Sequence, residues 1–136
     1  RQNNQFMKQA VAKLRYARMA PRKLRLLVDL VRGLPAAEAL AQLSVSEKAA
    51  ARPLMKLIAS AVANATHNFD LAPETLAIKT AFVDGGPTQY RWQPRAFGRA
   101  APIRKRTAHV TIVLEGEEKT TEKKEKIKKE AKKENK

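Results

Sequence analysis

A chain of 136 residues is the size of one domain, and with 43% apolar but only 5% aromatic residues its core has to be modest and built from small aliphatic side chains. The absence of cysteine excludes disulfides, thiolate nucleophiles and cysteine-held zinc or iron–sulfur centres, and no apolar run reaches the roughly 18–20 residues that a membrane span needs. A formal charge of +15 attracts polyanions at long range and makes nucleic acid the expected partner; the opening residues lack a signal peptide's hydrophobic region, and the expected location is the cytoplasm or, as the alternative, an organellar matrix or stroma.

The charge is arranged in blocks. Residues 1–32 carry nine Lys/Arg against Asp29, residues 33–84 are close to neutral, residues 85–116 carry six Lys/Arg against Glu115, and residues 117–136 hold nine Lys and six Glu. Residues 1–8 are set aside as an N-terminal extension, 9–116 as the domain and 117–136 as a charged tail.

Residues 9–17 alternate, with Ala12, Leu14 and Tyr16 on one side and Val11, Lys13 and Arg15 on the other, the period of a half-buried strand. Pro21 suits the first turn of a helix, where its missing N–H is not needed. Leu24, Leu27, Val28 and Val31 follow at helical spacing to a stop at Gly33, leaving Arg22, Lys23, Arg25 and Arg32 on a cationic outer face. A short second helix is expected over Pro35–Leu43, and Ser46 as the cap of a third running to about Phe69. In that third helix Ala50, Leu54, Leu57, Ile58, Ala61 and Ala65 form the buried stripe, while Pro53 either kinks it or marks where its regular part begins.

From Thr75 to Val83 the period changes to two, with Leu76, Ile78, Thr80 and Phe82 facing one way. It recurs from Thr107 to Leu114 with Ala108, Val110, Ile112 and Leu114. These two segments are expected to pair antiparallel. The residues between them, continued outward as two arms of about ten residues each, would reach on the order of 30 Å. This hairpin, at about 85–109, has no acidic residue from 85 to 114 and interleaves Tyr90, Trp92 and Phe97 with Arg91, Arg95, Arg99, Arg104, Lys105 and Arg106. Isolated two-stranded ribbons are marginal in water, and arginine forks with aromatic rings suit phosphates and unpaired bases, so folded RNA is the expected source of its order. A solvated basic loop is the plain alternative. Gly98 lies near the turn, where its backbone freedom is useful. The Lys/Glu tail from 117 has Ile127 as its only large apolar residue, cannot form a core, and is expected to be a solvated extension.

Ala20-Pro21-Arg22-Lys23, Asp29-Leu30-Val31-Arg32-Gly33, Ser60-Ala61-Val62-Ala63-Asn64-Ala65, Asp84-Gly85-Gly86-Pro87 and Pro94-Arg95-Ala96-Phe97-Gly98-Arg99-Ala100 leading to Lys105-Arg106-Thr107-Ala108-His109-Val110 occur in this order. Over about residues 9–115 the chain resembles the universal family of large-subunit ribosomal proteins numbered twenty-two in the bacterial series. The resemblance implies an α+β fold: three helices on a small three-stranded antiparallel sheet with a long protruding hairpin. It further implies binding to large-subunit ribosomal RNA, contacts with neighbouring ribosomal proteins, a part in assembly, a body near the peptide exit, and a hairpin lining the tunnel beside the nascent polypeptide. No membrane partner and no homo-oligomer are expected.

Carried over by position, the hairpin tip is Tyr90, Arg91, Trp92, Gln93, Pro94, Arg95, Ala96, Phe97, Gly98 and Arg99. The RNA-facing cations are Arg15, Arg18, Arg22, Lys23, Arg95, Arg99, Arg104, Lys105 and Arg106, to which the exposed cationic pattern adds Lys13, Arg25, Arg91 and His109. The chain departs from the family at Ala20, where a Ser or Thr cap is usual, and at Trp92 and Phe97, which are bulkier than the family's tip residues.

No catalytic set, metal or cofactor is expected. The two histidines, His67 and His109, lie on different elements, the carboxylates are scattered, and Asp84 before Gly85-Gly86 is a turn residue. The rival class is a DNA-bending architectural protein, whose basic ribbon would insert Pro94 as a wedge. Against it stands the second basic block, on a different element.

Overall fold

Ala108, Val110, Ile112 and Leu114 are all fully buried. Their strand, β5 (Ala108–Gly116), runs up the middle of a three-stranded antiparallel sheet between β1 (Lys8–Ala17) and β2 (Ala77–Gly85). The computed structural model describes residues 8–118. One face of the sheet is covered by α1 (Pro21–Val31) and α3 (Ala51–Asn68), and α2 (Ala36–Val45) packs against these two helices. The basic hairpin forms a separate two-stranded sheet from β3 (Gln89–Pro94) and β4 (Ala100–Lys105). This is the α+β arrangement that the family resemblance implies, and it agrees with the periodicities. Residues 1–7 and 119–136 lie outside the described residues, and with them most of the expected tail.

The core is aliphatic and small, as a chain with few aromatic residues requires. Leu24, Leu27, Val28 and Val31 of α1 and Leu54, Leu57, Ile58, Ala61 and Ala65 of α3 are buried as their spacing predicts, and they share one core with Ala12 and Ile112, which are paired across β1 and β5. The small residues of α3 let it lie close along β1, where the Asn64 Nδ2 donates to the Val11 carbonyl at 3.4 Å.

Two β-bulges reset the strand faces. In β1 the register shifts between Leu14 and Ala17, and Tyr16 takes a left-handed φ of 56°. Tyr16 is thus exposed rather than on the core side with Ala12 and Leu14. In β2 the shift falls between Ile78 and Thr80. The extra residue, Lys79, moves Ala81 and Val83 to the core, so Thr80 and Phe82 are turned out instead of following Leu76 and Ile78 inward. A 3₁₀ turn at Pro73–Thr75 precedes β2, which therefore begins two residues later than its alternation suggests.

Ser46 does not cap the third helix: it ends α2, its N–H donating to the Leu43 carbonyl at 3.2 Å. Helix α3 starts at Ala51, with Ala50 as N-cap, and Pro53 is then the third helical residue. Its absent N–H belongs to a first turn whose amides have no partner within the helix, so Pro53 marks a helix start and no kink is needed.

The hairpin is shorter than two ten-residue arms. Six pairs, from Gln89 opposite Lys105 to Pro94 opposite Ala100, form its ladder, a length of roughly 20 Å at about 3.3 Å per residue. It is not a continuation of β2 and β5. At the joint the Gly86 N–H donates to the Thr107 carbonyl at 2.9 Å and the buried Thr107 hydroxyl donates to the Pro87 carbonyl at 2.6 Å. A side chain on residue 86 would bring its Cβ to 2.4 Å from the Thr107 Oγ1, so the crossing requires glycine.

Candidate nucleic-acid interface

Between β1 and α1 the chain turns tightly, the Met19 N–H donating to the Ala17 carbonyl at 2.7 Å. The turn sets Arg18 and Lys23 on the same side as the root of the hairpin, where β4 ends and Arg104, Lys105 and Arg106 follow one another. The connection between α2 and α3 adds Lys48. Together they line an open cleft of about 930 Å³ with six cations, and among the described residues no carboxylate lines it.

A second basic strip lies across β1. Lys13 borders a shallow depression of about 480 Å³ with Arg52 and Lys56 of α3, and another of about 370 Å³ with Arg15 and His109. The Tyr16 main-chain N–H donates to the His109 Nδ1 at 2.9 Å, and the two rings meet edge to face at 4.7 Å. The Arg15 guanidinium sits 5.5 Å from the centre of the Tyr16 ring. The Tyr16 bulge therefore fixes the His109 ring at the hairpin root. With Nδ1 accepting, the neutral ring carries its proton on Nε2, a potential donor.

On the hairpin, the Arg95 N–H donates to the Arg99 carbonyl at 2.7 Å and closes the tip, so these two arginines flank the turn. Within it Phe97 is 99% exposed and left-handed, at φ 60° and ψ 34°. A residue bearing a Cβ in that region costs about 1–2 kcal/mol.

Like charges so placed repel: two unit charges 8 Å apart cost about 0.5 kcal/mol even in bulk water. The ion pairs Lys8–Glu118, Arg32–Asp29 and Lys79–Glu115 involve none of the cleft or strip cations. A polyanion relieves this repulsion and releases its own counterions on binding.

Of the cations expected to face RNA, Arg18, Lys23, Arg104, Lys105 and Arg106 come together in the cleft, and Lys13, Arg15 and His109 in the strip. Arg91, Arg95 and Arg99 stand out along the hairpin, and Arg22 is exposed on α1 away from these depressions. Arg25 is turned back on the body, its Nε and Nη2 donating to the Val83 carbonyl at 3.3 and 3.2 Å. Lys48, Arg52 and Lys56 were hidden in a segment of near-zero net charge. The i, i+4 spacing of Arg52 and Lys56, which sets both on one helix face, is the sequence signal by which a local basic patch could have been found.

The family model described as ribosomal protein L22p/L17e matches residues 12–115. A curated relative, the large ribosomal subunit protein uL22 of Desulfitobacterium hafniense (strain DSM 10664 / DCB-2), is 51% identical over 108 residues, covering 79% of this chain and 95% of the relative. The same protein of strain Y51 is 50% identical over an equal span.

Proposed function

Because the chain belongs to the ribosomal protein L22p/L17e family, we propose that it is a structural component of the large ribosomal subunit and binds large-subunit ribosomal RNA through the cleft, the strip and the hairpin. The observation that carries this reading is the cleft: cations from three separate parts of the chain converge on a space with no lining carboxylate among the described residues. Phosphates of a folded RNA pressed into the angle between body and hairpin satisfy all six at once. A duplex gripped by the ribbon alone would leave Lys48 and Lys23 unused.

The hairpin follows the same logic. All six residues of β3 are exposed, and in β4 only Ala101 and Ile103 are partly covered, so the ribbon has almost no apolar burial of its own. Surrounding RNA supplies its order, and the hairpin runs inward along the polypeptide tunnel while the body stays near the exit. By joining distant RNA segments at one cleft the protein supports assembly of the subunit.

Binding of the full chain to large-subunit RNA and to DNA duplex of equal length, in moderate magnesium, tests the proposal. Tight binding to the RNA with much weaker binding to the duplex is expected. Equal affinity for both contradicts it.

A further inference from the structure

We propose that Tyr90 and Trp92 form a two-ring clamp that holds one unpaired RNA base on one face of the hairpin. The proposal rests on the RNA-binding reading above and names a nucleotide-sized site within it. The ladder register places Tyr90 opposite Arg104, Trp92 opposite Pro102 and Pro94 opposite Ala100. Alternation then puts Tyr90, Trp92, Pro94, Ala100, Pro102 and Arg104 on one face of the ribbon. Tyr90 is 55% and Trp92 69% exposed, so both rings are open to a ligand.

Two same-face side chains on a strand stand about 6.6–6.8 Å apart. Stacked bases repeat at about 3.4 Å, so two upright rings at this spacing leave room for one base between them, in stacking contact on both sides. The residues across the ladder suit this use. Pro102 is compact and leaves the Trp92 ring accessible, and Arg104 lies beside Tyr90 in the ladder, where its guanidinium can reach the phosphate of a clamped nucleotide. The absence of acids from 85 to 114 favours a nucleotide over a basic or neutral peptide as the occupant.

Trp92 is the chain's one tryptophan, so its emission reports this site directly. The full chain is titrated with large-subunit ribosomal RNA, with bound fraction from filter retention and tryptophan emission recorded in parallel. Emission should be quenched in step with binding, and Tyr90→Leu should reduce the quench. Trp92→Leu should weaken binding roughly 5- to 150-fold, the range for losing one stacked base, with the salt dependence unchanged because stacking releases no counterions. Trp92→Phe should restore most of the affinity. RNA binding with unaltered emission, or a Trp92→Leu chain that binds as the parent does, overturns the clamp and leaves the RNA-binding reading intact. Quenching seen only with added unfolded polypeptide and not with RNA also overturns it. A chain that fails to retain the RNA at all removes both.

Discussion

The Arg32 guanidinium lays Nε and Nη2 on a single main-chain carbonyl, that of Ala81, at 3.1 and 2.8 Å. Arg25 treats Val83 in the same way, and the connection after α1 completes the seal. There the Gly33 N–H donates to the Ile78 carbonyl, the Ile78 N–H to Leu34 and the Ala36 N–H to Leu76, at 2.9–3.0 Å. The outer edge of β2 is therefore occupied, which blocks pairing with a further strand. Two of the basic residues around α1 thus belong to the fold. Arg32→Ala should lower the free energy of unfolding by about 1.5 kcal/mol, the low end of the range for hydrogen bonds that involve a charged group, because the side chain is half exposed. The Asp29 pair beside it, exposed and one helical turn away, adds little. Arg22→Ala, by contrast, should stay within about 0.5 kcal/mol. Urea unfolding midpoints of the two variants check this.

Ala20 occupies the N-cap of α1 in extended geometry with no side-chain cap, and it also lines the basic cleft. Ala20→Ser should stabilise the chain by about 1 kcal/mol, and Ala20→Asp by a similar amount. Their effects on RNA part company, because the carboxylate introduced by Ala20→Asp neutralises the field that the cleft presents. Thermal unfolding should rank both above the parent, while RNA affinity should fall only for Ala20→Asp.

Removing cleft charge should be visible as ionic-strength dependence. Replacing Arg18, Lys23 and Arg106 together with Ala should flatten the plot of log affinity against log salt by about 0.7–0.9 for each phosphate that is no longer neutralised. Replacing Arg25 should leave that slope unchanged, since its guanidinium already faces the Val83 carbonyl. A binding series from low to moderate salt decides it.

The root of the hairpin is a close crossing. Gly86→Ala drives its new methyl into the Thr107 Oγ1, a short side chain already committed to the Pro87 carbonyl, so the main chain has to shift. A destabilisation of about 1–3 kcal/mol is expected, as for overpacking elsewhere in cores. Thr107→Val keeps the shape but leaves the Pro87 carbonyl without this donor, at about 1 kcal/mol. Chemical denaturation of both variants gives the order.

Local periodicity carried most of the body. Leu24 to Val31, Leu54 to Ala65 and Ala108 to Leu114 are buried at their expected spacings because each stripe belongs to an uninterrupted element. The misplacements share a cause, which is that one residue changes the phase. Lys79 inserts into β2 and turns Phe82 outward, and Tyr16 leaves its face at a bulge whose partner, His109, is 93 residues away. Neither strand's own residues record such a pairing. Ser46 was a good cap by type, yet the α2 C-terminus took it, and Pro53 fixed the α3 start instead. At the interface, charge counting found the basic blocks but averaged Lys48, Arg52 and Lys56 with the acids of the same segment. Spacing alone places Arg25 and Arg32 on an exposed cationic face, and only the packing of α1 on β2 reveals the carbonyls to which they donate.

The proposal that nucleic acid, and not the ribbon itself, orders the hairpin is tested most directly by hydrogen exchange of residues 89–105 in the isolated protein and in its complex with large-subunit RNA. Exchange across β3 and β4 should be fast in the free protein and strongly slowed in the complex, while β5 should exchange slowly in both. Hairpin amides equally protected with and without RNA would show that the ribbon holds its own shape.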